Sequence, residues 1–344
     1  MVPGHDIIVI GASAGGVSAI RKLAQILPRD LPAAVFVVLH IPADSPSLLP
    51  KILMHAGALP AVHAMDGMAI EKGCIYVAPP DRHVIVEHGS ISVVRGPREN
   101  RHRPAIDPLF RSAALAYGPR VIGVVLTGAL DDGTAGLLAI KRRGGLAVVQ
   151  DPKEALYRSM PESALHHVQV DYSVTLAEMG PLLVRLSRQK AAEEAAYPIY
   201  EDLRKEVGIS KMEREVLKER DNAGTPSEFS CPECGGVLWE IQDGKLQRFR
   251  CRVGHAFTAE SVQAAQQDKL EEALWTALKT LEEQVSLSRR MLQHATQNGH
   301  DWLARTFEQR MLDAEQRANT IRDALIEQKE PQFVDETEVS EQSG

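Results

Sequence analysis

The stretch IVIGASAGGVSAI (8–20) runs from apolar residues through small ones into a helical pattern, with Ser13 at the corner. Unpaired backbone N–H groups at such a corner favour an anion, either a nucleotide phosphate or the oxyanion of an acyl-transfer intermediate. The glycines at 11, 15 and 16 do not make G-x-G-x-x-G, and no Lys follows as in a P-loop. A tight turn with Ser13 as N-cap needs no chemistry at all. Two other strand ends carry reactive groups: VFVVLHIP puts His40 after an apolar run, and VVLTGALDDGTAG puts Asp131 and Asp132 after another. Ser, His and Asp at the carboxyl ends of three strands of one sheet can converge as nucleophile, base and orienting carboxylate.

A second constellation lies far downstream. FSCPECGGVLWEIQDGKLQRFRCRVGHAFT contains Cys231-x2-Cys234, sixteen intervening residues, then Cys251-x3-His255. Four such ligands fill a tetrahedral shell with no open position, so the spacing predicts a structural zinc held by Cys231, Cys234, Cys251 and His255. The segment between the knuckles reads as a hairpin turning at Asp243-Gly244. Some 30 residues with little core need such a staple. Lys245, Arg248, Arg250 and Arg252 form a small basic strip, read as a protein contact because the adjoining helices are acidic. Cys74 falls inside an apolar run and reads as core.

The elements that must position these groups follow from periodicity. Segments 6–11, 33–40, 74–80, 121–128 and 145–150 read as strands, several of them continuously apolar, as strands covered on both faces are. Helical patterns at 16–26, 107–117 and 134–143 lie between them. The alternation predicts an α/β, doubly wound, mostly parallel sheet with its chemistry at the strand carboxyl ends. Residues 187–227 are dense in both charges and read as a solvated helical linker. Residues 228–257 form the zinc-ribbon-like module. Residues 258–330 carry two apolar stripes, around Leu274–Leu292 and Leu303–Leu325, which predict a helical hairpin turning at 296–301. The acidic tail 331–344 reads as disordered.

The chain has 344 residues, 44% hydrophobic and 25% charged, with a formal net charge of −7. That composition is ordinary for a soluble multidomain protein and argues against nucleic-acid binding. No apolar run approaches the ~20 residues of a membrane span, and the N-terminus reads directly into a strand, so neither membrane insertion nor a signal peptide is expected. Three clustered cysteines point to metal ligation in a reducing cytoplasm rather than to disulfides.

Across roughly residues 4–185 the motifs IGASAGG, LHIP, YVAPPDRHV, NRHRPAIDPLF, VIGVVLTGALDDGTAG and SMPESAL occur in the order that characterises chemotaxis receptor methylesterases of the CheB type. The sequence resembles the catalytic domain of that family, residues 1–186 here; the Ser–His–Asp order is not that of the α/β-hydrolases. The resemblance implies hydrolysis of glutamate methyl esters on methylated chemoreceptor cytoplasmic domains, releasing methanol, often with deamidation of receptor glutamines and without a catalytic cofactor. Carried over by position, Ser13 is the nucleophile, His40 the base and Asp132 the orienting carboxylate. Backbone N–H groups around Ser13, Ala14 and Gly15 are expected to receive the oxyanion, and Arg101 and Arg103 to face a carboxylate-rich substrate. Ala14 stands where many members have Thr, and Ala129 where the best-known members have Met, which would widen the pocket. No receiver domain precedes the first strand, so control by phosphorylation within this polypeptide is not expected. The C-terminal helices are candidates for self-association or for a regulatory partner. A non-catalytic signalling adaptor is the competing reading.

Overall fold

Strands β1 (Ile7–Ala12) and β2 (Ala34–Leu39) are buried at all six positions each, because helices cover both faces of the sheet they join. The computed structural model describes residues 4–218 and 224–327, and the chain forms two units dividing between Gln263 and Ala264. In the first unit, β1 and β2 pair with β3 (Ala61–His63), β4 (Ile75–Val77), β7 (Val121–Val125), β8 (Leu146–Gln150) and β9 (Tyr172–Val174). A separate hairpin of β5 (His83–Val86) and β6 (Ile91–Val94) precedes β7 in the chain. The seven strands run in the order β3-β4-β2-β1-β7-β8-β9, and every pairing is parallel.

Alternation decides which residue faces which layer. Ile7, Val9, Phe36 and Val38 pack with α3 (Ile106–Tyr117), α4 (Thr134–Arg142) and α5 (Ser159–His167). Ile8, Ile10, Val35 and Val37 pack with α1 (Gly16–Ile26), α2 (Leu49–Ala56) and α6 (Leu176–Ser187). The five strands and three helices expected from periodicity are present within a few residues of their anticipated ends. The three-residue β3 and β9 and the β5–β6 hairpin are too short or too polar to announce themselves. Cys74 sits one residue before β4, half-buried against the core.

The charged stretch after α6 is helical, as expected, but solvated only in part. It forms α7 (Glu201–Ser210) and the short α8 (Arg214–Lys218), and Leu203 and Val207 of α7 join the α3 side of the core. Next comes an antiparallel sheet of β10 (Thr225–Ser230), β11 (Val237–Asp243), β12 (Leu246–Cys251) and β13 (Ala256–Thr258). The β11–β12 pairing from Leu238↔Cys251 to Asp243↔Leu246 is the hairpin expected from the sequence, turning at Gly244 and Lys245. α9 (Ala259–Gln297) starts in this unit. In the second unit α9 and α10 (Asp301–Glu327) form the expected helical hairpin, joined through Leu278, Ala318 and Leu325. The tail 331–344 lies outside the described residues.

Candidate active site

β1 is central, with β2 on one side and β7 on the other, so the connections leaving β1 and β7 diverge at a topological switch point. Register brings their ends level: Ala12 pairs with Leu39, and Gly11 with Val125. The ladder continues past the strands, with the His40 N–H on the Ala12 carbonyl (3.2 Å) and the Ser13 N–H on the Thr127 carbonyl (3.0 Å). The sheet therefore brings Ser13, His40 and the Thr127–Asp132 loop together through main-chain geometry.

Ser13 Oγ lies 3.1 Å from His40 Nδ1, and His40 Nε2 lies 2.7 Å from Asp132 Oδ2. The His40 side chain is 5% exposed and that of Asp132 2%. With Nε2–H donating to Asp132, Nδ1 is left as the acceptor for the Ser13 hydroxyl. The two ring nitrogens thus exchange the places they take in the serine-protease arrangement. Asp132 also accepts N–H bonds from Ile106 (2.7 Å) and Gly133 (2.9 Å), and Asn100 Nδ2–H donates to its Oδ1 (2.9 Å). Burial alone would raise its pKa; hydrogen bonds from His40, Ile106 and Asn100 outweigh burial and hold it well below the usual carboxylate range. Asp131 points elsewhere and accepts the Thr258 hydroxyl (2.7 Å). Burial, with Glu260 and Asp132 nearby, pushes Asp131 up to about 7.

At the nucleophile corner Gly15 takes φ 76, a left-handed conformation that a side chain would strain. Gly128, beside Ser13, has no room for a side chain: a Cβ there would stand 2.0 Å from Met160 Sδ and 2.9 Å from Ser13 Cβ. The Ser13 N–H is occupied by Thr127, which removes it from the expected oxyanion donors. The N–H groups of Ala14 and Gly15 have no hydrogen-bond acceptor among the described residues. Ala129 is exposed just beyond Gly128.

Of the two arginines, Arg103 differs from expectation. Arg103 is engaged by Asp81, through Nε (2.7 Å) and Nη2 (2.6 Å), and by the Gly96 carbonyl (2.7 Å), so its fork holds the loop instead of facing substrate. Arg101 lies in the same turn with φ 72. The stretch NRHRP contains two site residues that attention to its arginines missed. One is Asn100; the other is His102, whose ring stacks on that of His40 at 3.6 Å between centroids and 14° between planes. Burial, and then the adjacent His40, lowers His102 to about 3, so it is an uncharged wall against the imidazole. A polar residue beside a cluster of loop charges was the only signal in the sequence.

The Cys-rich sheet brings its four expected ligands together. The Sγ atoms of Cys231, Cys234 and Cys251 and a ring nitrogen of His255 all lie within 4.8 Å of one another. Cys234 and Cys251 are separated by 3.7 Å, and His255 Nδ1 stands 3.7 Å from Cys231 and 3.5 Å from Cys251. The basic strip is divided: Lys245 and Arg252 are exposed, whereas its middle pair is not. Arg248 and Arg250 are each 7% exposed, and both pair with Glu206 of α7.

A family model described as CheB methylesterase matches residues 8–183. A protein of Leptospira interrogans, provisionally named a protein-glutamate methylesterase/protein-glutamine glutaminase, is 40% identical over 185 residues, 54% of this chain and 96% of its own length. A protein-glutamate methylesterase/protein-glutamine glutaminase of Methanosarcina mazei is 34% identical over 192 residues, which cover 54% of this chain and 52% of that protein. The crystal structure of the Thermotoga maritima CheB methylesterase catalytic domain aligns with a TM-score of 0.51 at 30% identity, over 53% of this chain and 98% of that domain. The matched region takes in all seven strands of the parallel sheet but for Ile7, the flanking helices as far as residue 183 of α6, and all three strand ends described above. On these grounds the chain belongs to the CheB methylesterase family.

Proposed function

We propose that Ser13, His40 and Asp132 are the catalytic triad with which this methylesterase hydrolyses glutamate γ-methyl esters on chemoreceptor cytoplasmic domains. The observation that carries the proposal is the unbroken hydrogen-bonded series from Ser13 Oγ through both nitrogens of His40 to a buried, ionised Asp132. Ser13 Oγ attacks the ester carbonyl carbon while His40 Nδ1 takes its proton. The developing oxyanion meets the N–H groups of Ala14 and Gly15, at roughly 3 kcal/mol per donor in serine-enzyme precedent. Collapse of the intermediate breaks the ester C–O bond, and His40 returns the proton to the departing methoxide, giving methanol. Water, deprotonated by His40, then hydrolyses the acyl-enzyme to glutamate and free Ser13. A glutamine side chain follows the same path with ammonia as leaving group, which accounts for deamidation.

The Cys231, Cys234, Cys251 and His255 cluster holds a structural zinc. Zn–S bonds of about 2.3 Å set tetrahedral sulfur pairs about 3.8 Å apart, and the spacing of Cys234 and Cys251 is 3.7 Å. Among the described residues no helix is long and apolar enough to cross a membrane. The enzyme works in the cytoplasm, where receptor signalling domains are found. Its C-terminal hairpin, which leaves Trp302 75% exposed, is the surface for self-association or for a regulatory partner.

The test is methanol release from a methylated receptor cytoplasmic fragment, with mass spectrometry following loss of one methylene mass at individual glutamates. The wild-type chain should release methanol, and Ser13→Ala should abolish the release. Full activity in Ser13→Ala would overturn the triad assignment.

A further inference from the structure

Not all the groups that hold Asp132 belong to the parallel-sheet region. Asn100 sits in the turn between β6 and α3 at φ 48, a left-handed conformation that Asn tolerates better than most residues. Its amide nitrogen donates to Asp132 Oδ1 and to Asp107 Oδ2, both at 2.9 Å. Its amide oxygen accepts from the Thr258 N–H and from Ser261 Oγ, both at 3.1 Å. All four hydrogen-bonding positions of one side-chain amide are therefore filled: two by the carboxyl groups of Asp132 and the neighbouring Asp107, two by the end of β13 and the first turn of α9. The five residues involved are sealed from water, with Asn100 4%, Asp107 2%, Asp132 2%, Thr258 1% and Ser261 0% exposed.

The main chain repeats the connection. The Asn100 N–H donates to the Ala256 carbonyl (2.8 Å), and the Ala256 N–H to the Arg98 carbonyl (3.3 Å), so β13 runs alongside the turn that carries Asn100 and His102. Thr258 then reaches Asp131 with its hydroxyl, next to Asp132 in sequence. Behind the turn, Glu99 accepts from Arg111 (2.5 Å) and from the Ser210 hydroxyl (2.8 Å). The turn is thus gripped on one side by the sheet region and on the other by the Cys-rich module.

We propose that Asn100 is a positioning residue through which the Cys-rich module, by Thr258 and Ser261, fixes the Asp132 carboxylate and the His102 ring that together orient His40. The inference rests on the triad reading given above. The N–H groups of Ile106 and Gly133 remain on Asp132 when the Asn100 amide is removed, so the carboxylate stays buried but loses the support that sets its rotation. Misplacement of a catalytic group by about 1 Å can cost ~10²-fold in rate. The module that carries the zinc ligands is then a working part of the active site.

Full-length chains carrying Asn100→Gly, Asn100→Asp, Ser261→Ala, Ser261→Thr and Ser13→Ala test this, with kcat and KM measured on a methylated receptor fragment. Asn100→Gly keeps the left-handed backbone available; Asn100→Asp keeps the shape and removes the donors. Both should lower kcat by about 10- to 100-fold with KM little changed, and the downfield NMR signal of the His40 Nε2–H should broaden or move. Ser261→Ala, which removes the hydroxyl that donates to the Asn100 amide oxygen, should lower kcat several-fold, and Ser261→Thr, which restores it, should recover it. The Ser261 pair also decides the matter if the Asn100 variants fail to fold. Wild-type kcat in Asn100→Gly and Ser261→Ala, beside an inactive Ser13→Ala, would overturn the positioning role and leave the triad standing. A fall in kcat that merely follows loss of folded protein, with no recovery in Ser261→Thr, would overturn it too. Full activity in Ser13→Ala would remove the triad reading on which it rests.

Discussion

The parallel sheet and the Cys-rich sheet are held together by different physics. Around the first, two continuous apolar layers bury every residue of β1 and β2. Around the second, the buried cluster is Cys231, Leu238, Phe249, Cys251, Phe257 and Val262, and two of these six are metal-ligand candidates. Beyond the hydrogen bonds around Asn100, its remaining support is ionic. Glu206 of α7 faces Arg248 (2.7 Å), Arg250 (3.1 Å) and Arg111 of α3 (3.2 Å), and Arg248 also meets Asp243 (2.8 Å). Burial disfavours the charged form of Glu206, yet the three guanidinium groups hold it well below the ordinary carboxylate range. Hydrophobic burial sets backbone positions and is indifferent to small polar changes. A buried charge network is directional and fails sharply when one partner goes. The contrast assigns the strand ends to apolar packing and the side-chain aim of the triad to polar contacts.

That comparison breaks first at the metal. Zinc binding in small modules is worth on the order of 10 kcal/mol. Chelation, or Cys251→Ser, should open β10–β13 to proteolysis while fragments containing the parallel sheet survive; elemental analysis should find about one zinc per chain beforehand. An unchanged digestion pattern after chelation would sink the ribbon reading. The next largest effect is Glu206→Ala, which leaves three buried guanidinium groups facing one another and should cost about 3–5 kcal/mol in urea unfolding.

A smaller effect depends on pH. Asp131, raised to about 7, keeps its proton in the fold where the unfolded chain has released it. The folded state thus binds more protons than the unfolded one between about pH 4 and 7, and this group's contribution to stability falls as pH rises. Asp131→Asn still accepts from Thr258 but cannot ionise. Its stability relative to wild type should climb by up to about 1.4 kcal/mol per pH unit across that window; equal slopes for the two proteins would contradict the raised value. The smallest effect belongs to the second unit. Arg322 and Glu282 are 2.9 Å apart but roughly half exposed, and Arg322→Ala should change stability by about 0.2–1 kcal/mol, less at high salt.

Much of the fold was legible because its strongest signals are local. Apolar runs such as AVFVVL and the helical pattern of 16–26 declare themselves within a single element, and Cys-x2-Cys with Cys-x3-His declares a ligand set. The buried face of α7 is hidden for the same reason: the charges around it are plentiful, and nothing local tells that Glu206 will meet Arg248 across 42 positions of chain. Arg103, Arg248 and Arg250 differ from their readings alike, since an arginine in sequence carries no mark of whether a carboxylate awaits it. Asn100 and His102 stood inside a quoted motif, yet neither type announces a role until its neighbours are known.

By itself the sequence determined the alternation that builds a parallel sheet, the strand ends bearing Ser13, His40 and Asp132, and the spacing of four metal ligands. These are properties of periodicity and of side-chain chemistry over a few residues. Only the tertiary structure decided that His102 stacks on His40, that one face of α7 is buried, and that the Cys-rich module reaches the triad through Asn100. Each of these depends on contacts between residues far apart in the chain, whose direction is set by packing and cannot be read from any one segment.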